Sequence, residues 1–325
     1  MRVLVTGVAG QLGHDVCNEL AARGIEAAGS DLHPSYAGCA DGSPVTAMPY
    51  FSMDITDKES VQSVIGAYAP DAVVHCAAWT AVDAAEDEEN IAKVRAINAG
   101  GTENIARACR DLDAKMVYLS TDYVFDGQGD TPWEPDCRDY RPLNVYGQTK
   151  LEGEQAVSSI LDKYFIVRIA WVFGKNGKNF IKTMLQLGKT HDSLRVVCDQ
   201  IGTPTYTLDL ARLLVDMIET DRYGYYHATN AELPGDARED GCRTGYISWY
   251  DFTKEIFRQA AALGHPEYLP ENLSVTPVTT AEYGLSKAKR PFNSRLAKEK
   301  LAGSGFTPLP DWQDALHRYL LEIEF

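Results

Sequence analysis

Short apolar runs alternate with longer stretches in which apolar residues return every three or four positions, and this alternation dominates the first half of the chain. Residues 2–6 form a compact apolar run that predicts a buried first strand, and residues 11–23 predict the helix after it. Residues 26–31 are a weaker, Ala/Gly-rich second strand. Residues 58–68 carry Val61, Val64 and Ile65 on one helical stripe, and residues 71–76, with Val73 and Val74 inside, read as another buried strand. Residues 91–112 are polar on one side and apolar on the other, a long amphipathic helix leading into the strand 116–119. A Gly/Pro-rich loop over 126–142 separates that strand from a helix over 146–161 and a strand over 165–169. Strands that alternate with helices build a parallel sheet covered on both faces, so the fold class is α/β.

Beyond Phe173 the rhythm changes. Helices are predicted at 179–187, 207–219, 248–262 and 311–322, separated by Pro-containing loops and two short strand-like runs, 195–198 and 225–228. The expected division is therefore an α/β domain over 1–173 and a smaller lobe over 174–325, with segments near 195–228 free to return to the sheet. Residues 232–243, from Glu232 to Arg243, mix charges with one Pro and two Gly and read as an exposed excursion.

Charge and cysteine content narrow the partners. The chain has 31 Lys+Arg against 46 Asp+Glu, so 31 − 46 = −15, a balance that repels nucleic acid at long range. No apolar run reaches the roughly 18 residues of a membrane span, and the first residues lead straight into a strand rather than a secretory leader, so the expected location is the cytoplasm. The seven cysteines are scattered, with no Cys-x-x-Cys pair, and read as reduced thiols. Histidines with metal-ligand spacing are absent from the sequence, which indicates no built-in metal site.

The first strand and first helix are joined by Gly7-Val8-Ala9-Gly10-Gln11-Leu12-Gly13, a place where backbone can pass close to a pyrophosphate and hand it to a helix N-terminus. The spacing is G-x-x-G-x-x-G, so it meets the dinucleotide fingerprint only in kind. Asp31 closes the second strand, where a carboxylate accepts from the adenosine ribose hydroxyls and repels a 2′-phosphate, a soft preference for NADH over NADPH. Asp54 and Ile55 suit an adenine contact. Ala77 and Ala78 are small enough to let a cofactor pass, and equally small enough to serve only helix–sheet packing.

A Tyr-x-x-x-Lys pair puts phenol and ammonium on one helical face, where the cation favours phenolate and the phenol can protonate a carbonyl as hydride arrives. Three pairs exist: Tyr146/Lys150, Tyr250/Lys254 and Tyr283/Lys287. Only the first lies in the alternating half, after a strand ending Leu119-Ser120-Thr121, and ligands dock at that edge of a parallel sheet. Thr121 is then placed to hold the substrate carbonyl, with Ser120 as its competitor, since neighbouring strand residues face opposite sides. Asn98, on the long preceding helix, is placed to hold a relay water near Lys150.

These residues together resemble the extended short-chain dehydrogenases/reductases. More narrowly, Ala77-Ala78-Trp79-Thr80-Ala81-Val82-Asp83, Ser120-Thr121-Asp122-Tyr123-Val124-Phe125, Asn144-Val145-Tyr146-Gly147-Gln148-Thr149-Lys150 and Trp171-Val172-Phe173-Gly174 resemble the dTDP-4-dehydrorhamnose reductase family. So do Gly177-Lys178-Asn179-Phe180, the block from Asp199 to Thr205, Ser248-Trp249-Tyr250 and Arg290-Pro291-Phe292-Asn293-Ser294. The resemblance implies a Rossmann-type doubly wound sheet with a smaller substrate-binding lobe, and NADH- or NADPH-dependent reduction of the 4-keto group of dTDP-4-dehydro-β-L-rhamnose. It implies Tyr146 as proton donor, Lys150 as its electrostatic partner, and Thr121 as the hydroxyl that orients the carbonyl. Asp122 and Trp171 would touch the sugar, and Asn179 the nucleotide diphosphate. On residue type alone, Trp171 suits a core, Asp122 a turn and Asn179 a helix cap. Gly10, Gln11, Leu12, Asp31, Asp54, Ile55, Ala78, Trp79 and Thr80 would line the cofactor. A dTDP-sugar is the implied partner, a homodimer is one compatible assembly, and Mg²⁺ is compatible with the family though nothing in the sequence requires it.

Two departures stand out: Trp79 occupies a position where the family more often has Tyr or His, and residues 232–243 look like an extra loop. Rival readings are a nucleotide-sugar epimerase or dehydratase on the same scaffold and a non-catalytic NAD(P)-binding regulatory subunit. A dehydratase would carry Thr-Asp-Glu where this chain has Thr121-Asp122-Tyr123, and a regulatory subunit has no need of Thr121, Tyr146 and Lys150 together.

Overall fold

In a computed structural model of the chain, residues 1–231 and 245–325 are described. The excursion expected over 232–243 lies outside the described residues. Seven strands form the main sheet: β1 (Arg2–Thr6), β2 (Glu26–Asp31), β3 (Tyr50–Ser52), β4 (Ala72–His75), β5 (Lys115–Thr121), β6 (Tyr164–Ile169) and β7 (Gly224–His227). Their spatial order is β7-β6-β5-β4-β1-β2-β3, and each neighbouring pair is parallel. The chain builds outward from β1 in one direction, then returns to β4 on its other side. That reversal opens a crevice at the carboxyl ends of β1 and β4, the usual ligand position of a doubly wound Rossmann sheet.

The pattern of side chains explains the layers. Val3, Val5, Val117, Leu119 and Val167 point to one face, where α1 (Gln11–Ala22) and α7 (Thr207–Ile218) cover them. Leu4, Val73, Met116, Tyr118 and Ile166 point to the other, under α2 (Lys58–Tyr68), α4 (Thr102–Asp111) and α5 (Val145–Ile160). The long helix expected over 91–112 is α3 (Glu88–Arg95) running through a π-helical turn (Ala96–Gly101) into α4. Alternation gives no warning of that turn.

The second half is not contiguous in space. Residues 207–227 lie on the main sheet as α7 and β7, whereas Ser193–Val197 pairs in parallel with Ser274–Val278 beyond the sheet. With α6 (Phe180–Gly188), α8 (Trp249–Ala262) and α9 (Trp312–Leu320), that pair encloses an aromatic core around Phe173, Phe252, Trp312 and Tyr319. Among the described residues no helix is long and apolar enough to cross a membrane, and the six described cysteines are unbridged.

Candidate active site

The β1–α1 turn is shaped by close approach. Gly7 has φ +70°, and a Cβ there would fall 2.6 Å from the Ala77 nitrogen; a Cβ on Gly13 would fall 2.4 Å from the Gly7 carbonyl. Any side chain at either position would push the helix or the turn out of place. Gly10 begins α1 with no side chain capping the helix, which leaves its first N–H groups to face a ligand. Asp31 closes β2 and ties this loop together: Oδ2 accepts from Ala9 N at 3.0 Å and Oδ1 from Leu32 N at 2.8 Å.

A single cavity of about 1200 Å³ runs from this turn across the carboxyl ends of the strands. Gly7, Gly10, Gln11, Leu12, Gly13 and Asp31 line one end, Asp54, Ile55, Ala77, Ala78 and Thr80 its wall, and Thr121, Asp122, Tyr146, Lys150 and Trp171 the rest. Three expected residues are placed differently. Trp79 donates its indole N–H to Ala81 O, outside the lining. Asn98 is buried in the π-turn and clamps the wall loop, its Oδ1 accepting from Trp79 N at 2.8 Å and its Nδ2 donating to Trp79 O and to Thr149 Oγ1. It shapes the cavity wall, and its amide is already engaged on both sides. Asn179 caps α6 and donates to Gln11 Oε1, Gly174 O and Tyr319 Oη. Its amide is saturated by protein partners, so a cap is what it makes here.

Asn144 caps α5 by accepting from Gly147 N at 2.8 Å and also donates to Lys289 O, which fixes the first turn that carries Tyr146. Lys150 follows one turn later, on the same face. The other two Tyr–Lys pairs lie outside the cavity lining, with the Lys254 ammonium resting on the ring of Tyr250 and Lys287 paired with Asp87. The Thr121 hydroxyl donates to Asp122 Oδ1 at 3.0 Å and accepts from Tyr123 N at 3.2 Å. Ser120 also lines the cavity, and among the described residues its buried Oγ has no hydrogen-bond partner.

The electrostatics correct one expectation. Lys150 was to make the phenol more acidic, yet Tyr146 is pushed up from its ordinary value, first by burial and then by the carboxylate of Asp122, with only the Thr121 hydroxyl pulling it down. The physical reason is where the ammonium sits: Lys150 Nζ lies 4.1 Å from the ring centroid of Tyr118. Burial lowers Lys150 to about 7, against the opposing pull of Glu154. Burial also raises Asp122 to about 6, despite its hydrogen bonds. The phenol is protonated at neutral pH, as a proton donor must be, and burial makes it a weaker acid than usual.

The far end of the cavity carries rings. Trp171 adopts φ +52°, a left-handed conformation uncommon for a non-glycine residue, and stacks on Trp249 with centroids 3.7 Å apart. Phe180 closes on Trp249 at 4.5 Å, and Phe180, Phe252 and Trp249 all line the cavity. Arg290 stands at the same cavity, its guanidinium held by Asp83 at 2.7 and 3.2 Å. Residue-by-residue reading gave Trp249, Phe180 and Arg290 no role. The only signal was their place inside the blocks that carry the family resemblance. Among the described residues no group of three or more His, Cys, Asp or Glu could hold a metal.

The residues present fit a nicotinamide dinucleotide: the glycine turn cannot admit a Cβ, α1 begins uncapped, and an acceptor carboxylate closes β2. Comparison with known proteins agrees. The chain matches the family described as RmlD substrate binding domain over residues 1–325. It is 36% identical over 322 residues to a dTDP-4-dehydrorhamnose reductase of Aggregatibacter actinomycetemcomitans, covering 97% of each chain. It is 35% identical to a dTDP-4-keto-6-deoxy-D-glucose reductase of Streptomyces niveus, covering 97% of this chain and 95% of that one. The crystal structure of dTDP-4-dehydrorhamnose reductase from Bacillus anthracis in complex with NADP superposes with a TM-score of 0.81 at 36% identity, covering 99% of both chains.

Proposed function

This chain belongs to the RmlD family of sugar-nucleotide reductases, and from that premise we propose that it reduces the 4-keto group of dTDP-4-dehydro-β-L-rhamnose to give dTDP-β-L-rhamnose. The observation that carries the reading is the meeting, in one cavity, of the glycine turn with Thr121, Tyr146 and Lys150 at the carboxyl edge of the sheet. NADH or NADPH, when bound, supplies the hydride. Tyr146 donates the proton to the ketone oxygen, so each turnover consumes one ketone, one reduced nicotinamide and one proton and forms one hydroxyl.

The chain's own residues divide the remaining work. Gly7, Gly10 and Gly13 let the backbone approach the pyrophosphate, and the N-terminus of α1 faces its charge. Burial keeps Tyr146 protonated until the ketone oxygen gains charge, and Lys150, one turn along α5, adds a positive charge to the same cavity. Thr121, with Ser120 as its competitor, orients the carbonyl. Trp171 and Trp249 pack the sugar nucleotide from the far end.

A panel of dTDP-4-keto-6-deoxysugars with NADH or NADPH, followed by loss of nicotinamide absorbance and identification of the product, tests the reading. Stoichiometric oxidation of the cofactor with dTDP-4-dehydro-β-L-rhamnose is expected. Interconversion of sugars without net oxidation would replace the reductase with an epimerase.

A further inference from the structure

Lys150 is 3% exposed, and among the described residues no hydrogen bond or ion pair reaches its Nζ. Lys150 also lines the cavity, so its ammonium lies at the cavity wall, and the protein side of that wall must be lined by a group that tolerates a cation. The group in place is the face of Tyr118, which strand alternation on β5 turns toward α5, on the same side as Met116. Tyr118 is itself locked from three directions. Its hydroxyl donates to the Lys150 carbonyl at 3.1 Å, the His75 ring stacks beside it with centroids 6.0 Å apart, and a Cβ on Gly153 would stand 2.2 Å from its hydroxyl. Gly153 thus makes room in α5 for this one side chain.

The surrounding charges leave the ring a clear task. His75, between Thr6 Oγ1 and Thr102 Oγ1, is pushed down to about 3 by burial and stays neutral; Cys76 is pushed up to about 12 and stays a thiol. From its own helix Lys150 feels Glu154, whose carboxylate is already claimed by the guanidinium of Arg168 at 2.7 Å. We propose that Tyr118 is the positioning residue for Lys150: its ring supports the ammonium through a cation–π contact while its hydroxyl anchors the carbonyl of the same residue. This deepens the proposed reduction and rests on it only for the use made of Lys150.

The test keeps the shape of the ring and changes its electrons. Tyr118→Phe retains the π face, whereas 3,4,5-trifluorophenylalanine at the same position strips it of negative potential. The readout is the titration of the Lys150 Cε resonance by carbon-13 NMR, assigned by its loss in Lys150→Met. We expect Tyr118→Phe to titrate like the native protein and the trifluoro ring to lower the Lys150 midpoint by about one pH unit, with the alkaline limb of kcat/KM moving alike. Identical midpoints in the two variants would overturn the proposal. Should the native protein reduce no 4-keto sugar, the functional reading fails, and the NMR titration still decides whether the ring holds the ammonium.

Discussion

Where the cavity meets the β1–α1 turn it is walled by backbone and by residues with little or no side chain, whereas its opposite end is walled by the large rings of Trp171, Trp249, Phe180 and Phe252. The first end leaves no space: added Cβ atoms at Gly7 and Gly13 meet fixed backbone. The second is assembled from side chains delivered by the loop after β6, α6 and α8, and its tolerance depends on how those rings repack. On the proposed reading, one scaffold would hold its cofactor by exclusion and its sugar by contact. Substitutions at one end are expected to act on cofactor affinity, at the other on KM for the sugar, and between the two on turnover.

The largest effect should come from the middle. Tyr146→Phe removes the proton donor and is expected to lower kcat by about 10²-fold or more with cofactor affinity nearly unchanged. Steady-state kinetics beside a cofactor-fluorescence titration separates the two; near-normal turnover would dissolve the assignment. The neighbouring ammonium sets a pH limit. Lys150 is a base lowered to about 7, so its positive charge is present below that pH and lost above it. The value of kcat/KM should therefore fall by up to about tenfold per pH unit above neutrality, and a profile flat to pH 9 would show that the charge is not needed.

At the backbone end, Gly13→Ala places a methyl 2.4 Å from the Gly7 carbonyl. The turn must shift, and cofactor affinity should fall on the order of 10- to 100-fold while the unbound protein stays folded, as circular dichroism would show. At the ring end, Trp249→Ala removes the partner stacked on Trp171 and should raise KM for the sugar nucleotide about tenfold, with cofactor affinity within about twofold. Equal losses on both ligands from either variant would erase the division between the two ends.

The same contrast governs what the sequence discloses. The glycine turn, the acidic end of β2 and the Tyr146/Lys150 spacing are local patterns, so most of the main-sheet strands, the first helix and the part of the cavity lining beside them can be read from neighbouring residues. The ring end joins Trp171 to Trp249 across 78 positions (249 − 171), and the clamp from Asn98 to the loop at Trp79 depends on a π-turn that periodicity does not mark. Nor does spacing reveal that Lys150 rests on Tyr118 of a neighbouring strand, which is why the expected acidification of Tyr146 gives way to the opposite shift. Long-range partners decide the electrostatics even where the chemistry-bearing residues are local.

Asp31 gives the smallest and most discriminating effect. Its two oxygens are each engaged by a backbone N–H, from Ala9 and from Leu32, so the carboxylate holds the loop as well as facing the cavity. Carboxylate oxygens have two lone-pair directions each, which leaves capacity to accept from ribose hydroxyls, while the negative charge repels a 2′-phosphate. Asp31→Ala should then weaken NADH by about fivefold and NADPH by less, because relief from repulsion offsets the loss of loop order. Asp31→Asn separates the contributions: the amide can keep an acceptor for the loop while the charge is gone, so NADH should weaken little and NADPH should tighten. Isothermal titration of both cofactors against the three proteins decides it. If the two cofactors weaken equally in Asp31→Ala and neither responds in Asp31→Asn, the carboxylate serves the loop alone, and the acidic end of β2 does not choose the cofactor.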